Sequence, residues 1–159
     1  MGWNVEHYGI YVALWVRDGQ PVSFHWSLYI AYDTERGESF EAVDKVKTGP
    51  WYILSEVTST LKYASRVTAM VKVGQTSAEA LPRLRRILED RSSVHQRNAA
   101  KFSCRIWVLN ALEFLDRESF ISCKHVEKIE KEVRDMAEYN VKARSQGGDI
   151  IVFESAHSA

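Results

Sequence analysis

The chain has 159 residues, 45% hydrophobic and 26% charged, proportions that suit one folded domain over residues 1–159 and exclude a disordered chain. Its 21 Lys and Arg balance 21 Asp and Glu, so there is no net field to gather nucleic acid or an anionic membrane, and no apolar run is long enough to span a bilayer. Two cysteines are too few for a disulfide framework, and the start Met1-Gly2-Trp3-Asn4 lacks the charged and apolar segments of a signal peptide, so a cytoplasmic protein with reduced thiols is expected.

Residues 6–16 alternate, with Tyr8, Ile10, Val12, Leu14 and Val16 on one side and His7, Gly9, Tyr11, Ala13 and Trp15 on the other, which is a strand period. Asp18-Gly19-Gln20-Pro21 supplies turn chemistry. A second strand is predicted over residues 22–32. Phe24, Trp26, Leu28 and Ile30 form its apolar row, and Ser23, His25, Ser27, Tyr29 and Ala31 its less oily one. A third strand over residues 39–46 closes a meander, and residues 51–56 and 64–73 read as further strands around a segment that follows neither period. Residues 77–90 turn helical, either capped by Ser77 or starting later with Pro82 at the first helical position, where its missing donor does no harm. Residues 91–101 read as a polar connector. Ser103 then caps a helix whose stripe is Cys104, Trp107, Val108, Ala111, Leu112 and Leu115. A third helix is predicted over residues 124–144, with Val126, Ile129, Val133, Met136, Ala137 and Val141 on its apolar side. Gly147-Gly148 stops it, and residues 149–154 read as a short strand. The fold class expected is α+β, an antiparallel meander packed against helices.

Chemistry centres on Cys104. At the first turn of a helix, free backbone N–H groups and the positive end of the dipole favour a thiolate and can also receive an oxyanion. The plainer reading is that Cys104 is a small core residue on the apolar stripe. A cysteine nucleophile needs a base. His25, internal to a strand, is better placed than His7, His95, His125 or His157, although a strand histidine is often only hydrogen-bonded to its neighbours. Glu41, in the next strand, is the candidate to orient the imidazole, with Asp44 and Asp33 as fallbacks and a solvent-facing glutamate as the plain alternative. Trp26, Ser27, Trp107, Arg105 and Trp51 are candidates to line a substrate pocket, the aromatics being equally at home in a core. Cys123 is placed to resolve an oxidised Cys104 or to be an inert thiol. No metal-ligand spacing or phosphate loop is evident, so neither a metal nor a cofactor is expected.

His25-Trp26-Ser27-Leu28-Tyr29-Ile30, then Ser39-Phe40-Glu41-Ala42-Val43, then residues 102–112 around Cys104-Arg105-Ile106-Trp107-Val108 resemble the pattern of a largely uncharacterised fungal family. Its hallmark is a His-Trp-Ser strand followed by a Cys-x-x-Trp-Val helix, and the resemblance spans residues 8–121. The histidine-first order is similar to circularly permuted papain-like folds, whose relatives include the lecithin:retinol acyltransferases and the PPPDE isopeptidases. Arg105 stands where such proteins often have Gln, and Glu41 where relatives often have a second histidine, which keeps an acceptor for an imidazole N–H. The resemblance implies thiolate attack on an ester, thioester, amide or isopeptide, with His25 as base and a small acyl compound, peptide or protein as substrate. Two other readings stand beside it: a non-catalytic module binding a ligand or protein on the same fold, and a tailoring enzyme of fungal secondary metabolism.

Overall fold

Alternation near the N-terminus builds a hairpin. In the computed structural model, which describes residues 3–43, 51–58, 64–90 and 103–159, β1 (Gly9–Val16) and β2 (Phe24–Ala31) pair antiparallel, with Ile10 opposite Ile30 and Val16 opposite Phe24. Gly19 turns the chain between them at φ 104°, a conformation that side chains bearing a Cβ rarely adopt. β3 (Gly37–Val43) and β4 (Tyr52–Thr58) extend the meander on one side, and β5 (Val67–Gln75) pairs antiparallel with the other side of β1. The sheet order is β4-β3-β2-β1-β5-β6.

The expected α+β class holds, with one difference in the sheet. Five strands are antiparallel, but β6 (Ile151–Glu154) joins β5 in parallel, making the sheet mixed. A parallel neighbour needs a long crossover, and the helices α1 (Leu81–Glu89), α2 (Cys104–Arg117) and α3 (Val126–Ser145) lie between the two strands in sequence. Residues 44–46 of the third predicted strand, and the connector at 91–101, lie outside the described residues.

The period of two sorts side chains to two faces. Ile10, Val12 and Leu14 with Trp26, Leu28 and Ile30 meet Trp107, Val108, Ala111, Leu112, Ile129 and Val133 of α2 and α3 in the main core. Tyr11, Ala13, Tyr29 and Ala31 face the other way, in a second cluster with Val67 and Met70 of β5 and with Val5 and Ile150 from outside the strands. Both faces are covered, which explains why β1 is apolar on both rows.

Pro82 lies in the first turn of α1, after Ala80 as N-cap. Ser77 therefore does not cap the helix; its hydroxyl accepts from the Ala80 amide and closes the preceding turn. α3 carries one feature its apolar pattern does not announce. Asn140 is buried, and its side-chain amide donates to Thr68 O at 2.9 Å and Asp149 O at 2.8 Å, fastening α3 to β5 and to the chain entering β6. Gly147, at φ 85°, follows the end of that helix.

Candidate functional site

The site forms where the sheet opens. The β2–β3 ladder ends at Leu28 opposite Phe40, and continuing its register would pair Trp26 with Ala42 and Ser27 with Glu41. Instead the strands part, and the first turn of α2, which packs on β2 and β3, brings Cys104 to the gap. The Trp26 backbone N–H, released from pairing on this side, donates to the Cys104 sulfur.

Ser103 sets the helix start. Its extended backbone (φ −155°, ψ 171°) and its hydroxyl, accepting from the Ile106 amide at 3.2 Å, make the N-cap expected from the sequence. Cys104 is consequently the first helical residue, beside amides that have no acceptor within the helix.

His25 reaches the sulfur from the strand. Its Nε2 lies 2.5 Å from Glu41 Oε2, and the ring is near enough to the Cys104 side chain for each to shift the ionisation of the other. The histidine thus stands between a carboxylate and a sulfur. Both side chains of the His25–Glu41 pair keep partial exposure, 24% and 22%. A third group completes the surroundings: Arg17, just beyond the end of β1, donates through Nη2 to the sulfur at 3.4 Å.

These contacts decide ionisation. Burial pushes the Cys104 thiol up, but the hydrogen bonds from His25 and the Trp26 amide, with the charges of His25 and Arg17, outweigh it and hold the thiol below its ordinary range. Burial disfavours a charged His25, yet hydrogen bonds to Cys104 and Glu41 and the negative charge of both raise its pKa from 6.5 to about 9. Both shifts favour a thiolate facing an imidazolium.

A family model described as a family of unknown function, DUF6914, matches residues 8–149. The chain belongs to that family. Arg17, His25, Glu41 and Cys104 all fall inside the matched span. No curated protein and no solved structure matches the chain.

Beside the histidine opens a cleft of about 470 Å³ lined by Trp15, His25, Ser39, Glu41, Glu56 and Arg66, among others. Trp15 is directly opposite His25 in the β1–β2 register, and its indole N–H donates to Ser27 Oγ at 3.0 Å. The cleft therefore meets the Glu41 side of the ring. Cys104 is 3% exposed and does not line it.

The structure brings together Cys104, His25 and Glu41, but not the five residues expected to line a pocket. Trp26 and Trp107 are buried in the main core, and Trp51 packs against it. Ser27 is buried beneath Trp15. Arg105 points along the helices to Glu130 Oε2 at 2.8 Å. The reason is the strand period: the row that alternates with His25 faces α2, so Trp26 is spent on packing. Of the fallbacks, Asp33 accepts from the Glu35 and Arg36 amides in the β2–β3 turn, and Asp44 lies outside the described residues. Cys123 cannot resolve Cys104, because Cys104 opens the 14-residue α2 and Cys123 lies past its far end, about 20 Å of helix away. His7 is an exposed residue ahead of β1, His125 is the N-cap of α3, His157 is exposed near the C-terminus, and His95 lies outside the described residues.

Arg17 and Trp15 were not anticipated. Counting back from Gly19 through the hairpin register would have placed Trp15 opposite His25, but nothing in the sequence marks Arg17 as a neighbour of Cys104. Among the described residues no group of His, Cys, Asp and Glu is placed to hold a metal ion, and no helix is long and apolar enough to cross a membrane.

Proposed function

We propose that the chain is a cysteine-dependent hydrolase or acyltransferase acting on an ester, thioester, amide or isopeptide, of the permuted papain-like kind that its histidine-first order resembles. One arrangement carries the reading: the His25 ring held between Glu41 at 2.5 Å and a sulfur at a helix N-terminus. The Cys104 thiolate attacks the acyl carbon, a C–S bond forms, and the carbonyl electrons move onto oxygen, where first-turn N–H groups receive the charge. When the intermediate collapses, the bond to the leaving group breaks and His25 gives that group its proton. Water or another acceptor then attacks the thioester, His25 takes its proton, and the thiolate departs. Glu41 holds the ring in one tautomer and supports the imidazolium. Substrates of this site are small acyl compounds, or peptides and proteins, and the two unpaired thiols suit a cytoplasmic setting.

The test is alkylation by iodoacetamide followed by peptide mass spectrometry. Cys104 is expected to label far faster than Cys123, with a rate that titrates below the ordinary thiol range. Equal and slow labelling of the two contradicts the proposal.

A second reading, a non-catalytic binding module, draws on the near-complete burial of the sulfur and on a cleft that touches His25 and Glu41 instead. Cys104→Ala separates the two. Under the enzyme reading it abolishes acyl turnover; under the module reading it leaves ligand binding and the cellular role intact.

A further inference from the structure

Arg17 is fixed at its backbone, and its side chain meets the Cys104 sulfur with no carboxylate partner among the described residues. Its amide donates to Ser23 O at 3.0 Å, closing the hairpin end, which sets where the side chain starts. A guanidinium carries five N–H donors in a rigid fork, and one nitrogen of this one lies 3.4 Å from the Cys104 sulfur. Among the described residues no carboxylate pairs with Arg17: the adjacent Asp18 is engaged by Arg66 at 2.7 Å, and Glu41 is paired with His25 Nε2. Arg17 is exposed while Cys104 is 3% exposed, so a reactant approaching from the Arg17 side must displace or accompany the guanidinium.

A cation left free at the approach to a nucleophile selects what approaches. We infer that Arg17 is a specificity-determining residue, which caps the resting sulfur and turns, as substrate arrives, to a carboxylate or similar small anion beside the scissile carbonyl. This rests on the acyl-transfer reading above and names its substrate class: acyl groups that carry an anion one or two atoms from the reacting carbon. The fork can hold such an anion bidentately while the sulfur, freed of its cap, reaches the carbonyl. A neutral acyl group of the same size gains nothing from the exchange.

Two alkylating reagents that differ only in this respect supply the test. Iodoacetate and iodoacetamide both form a C–S bond with the thiolate as the C–I bond breaks and iodide leaves, but only iodoacetate places a carboxylate next to the reacting carbon. With Cys123→Ser as background, the ratio of iodoacetate to iodoacetamide rates at Cys104 is expected to exceed that of a small free thiol. It should fall about tenfold in Arg17→Gln and be largely retained in Arg17→Lys, as expected for one close charge pair near the surface. Taking the ratio cancels any change in thiolate content, which acts on both reagents alike. A ratio unchanged in Arg17→Gln, with iodoacetamide still fast, overturns the role of Arg17 and leaves the reactive thiolate standing. A sulfur inert to both reagents in the parent protein overturns the thiol reading together with it.

Discussion

Two buried free cysteines stand near opposite ends of α2, and the contrast between them separates what burial does from what neighbours do. Cys104 is 3% exposed and Cys123 5%, so water is excluded from both almost equally. At the N-terminal end the thiol accepts from an imidazole and a strand amide near a guanidinium, and it is held below its ordinary range. At the other end burial raises the Cys123 thiol, and the charges of Asp116 and Glu127 push the same way against one backbone hydrogen bond from His125. Helix polarity follows the same pattern, with unpaired N–H groups at one end and unpaired carbonyls at the other. Low accessibility alone therefore does not fix which way the ionisation of a cysteine shifts.

The contrast breaks most severely at His25. His25→Ala is expected to lower acyl turnover about 10²–10⁴-fold, the usual contribution of a positioned acid and base, and to bring Cys104 alkylation towards that of Cys123. Turnover measured with an activated ester, alongside labelling of both thiols, checks this; a variant that keeps the parental rates removes His25 from the mechanism. A smaller loss, about 10–100-fold in kcat, is expected for Glu41→Gln, because the amide keeps the shape but not the charge that holds the imidazolium. Its second signature is a base-side pKa of the activity profile that moves below the parental value.

The pH profile follows from the two shifts. Cys104, lowered, loses activity as pH falls through its folded-state pKa and the thiolate is protonated. His25, raised, loses its proton and its role as acid as pH rises through about 9. The same sign applies to stability: protonated His25 stabilises the fold fully below its ordinary pKa of 6.5, and that contribution disappears as pH passes about 9. The Tm difference between the parent and His25→Ala should therefore shrink at the alkaline end. The smallest effect is expected at the cap. Ser103→Ala removes the acceptor for the Ile106 amide and should lower stability by about 1 kcal/mol in a denaturant titration, with no change in which cysteine is reactive.

Much of this arrangement was legible before the structure. The stripe at helical spacing identified the buried residues of α2, and the strand period placed His25 off the main core, because both patterns are dictated by which faces must leave water. Glu41 was reachable as the polar residue of the neighbouring strand. What stayed hidden depends on how elements are set against each other. The parallel entry of β6, the parting of β2 from β3 at Trp26 and the approach of Arg17 to the sulfur have no local period. Asn140 has no local signature in the sequence of α3, since its role depends on two carbonyls distant in sequence or just beyond the helix. The aromatic residues expected to line a pocket went into the core or against it, where large apolar area is worth most.

The central claim is that His25 holds Cys104 as a thiolate, and a direct titration reaches it. In Cys123→Ser, the ultraviolet absorbance of the thiolate should appear at a pH below the ordinary thiol range, and the His25 ring protons, followed by NMR, should titrate near 9. Ionisation of Cys104 in the ordinary range, with His25 titrating near 6.5, would contradict the account.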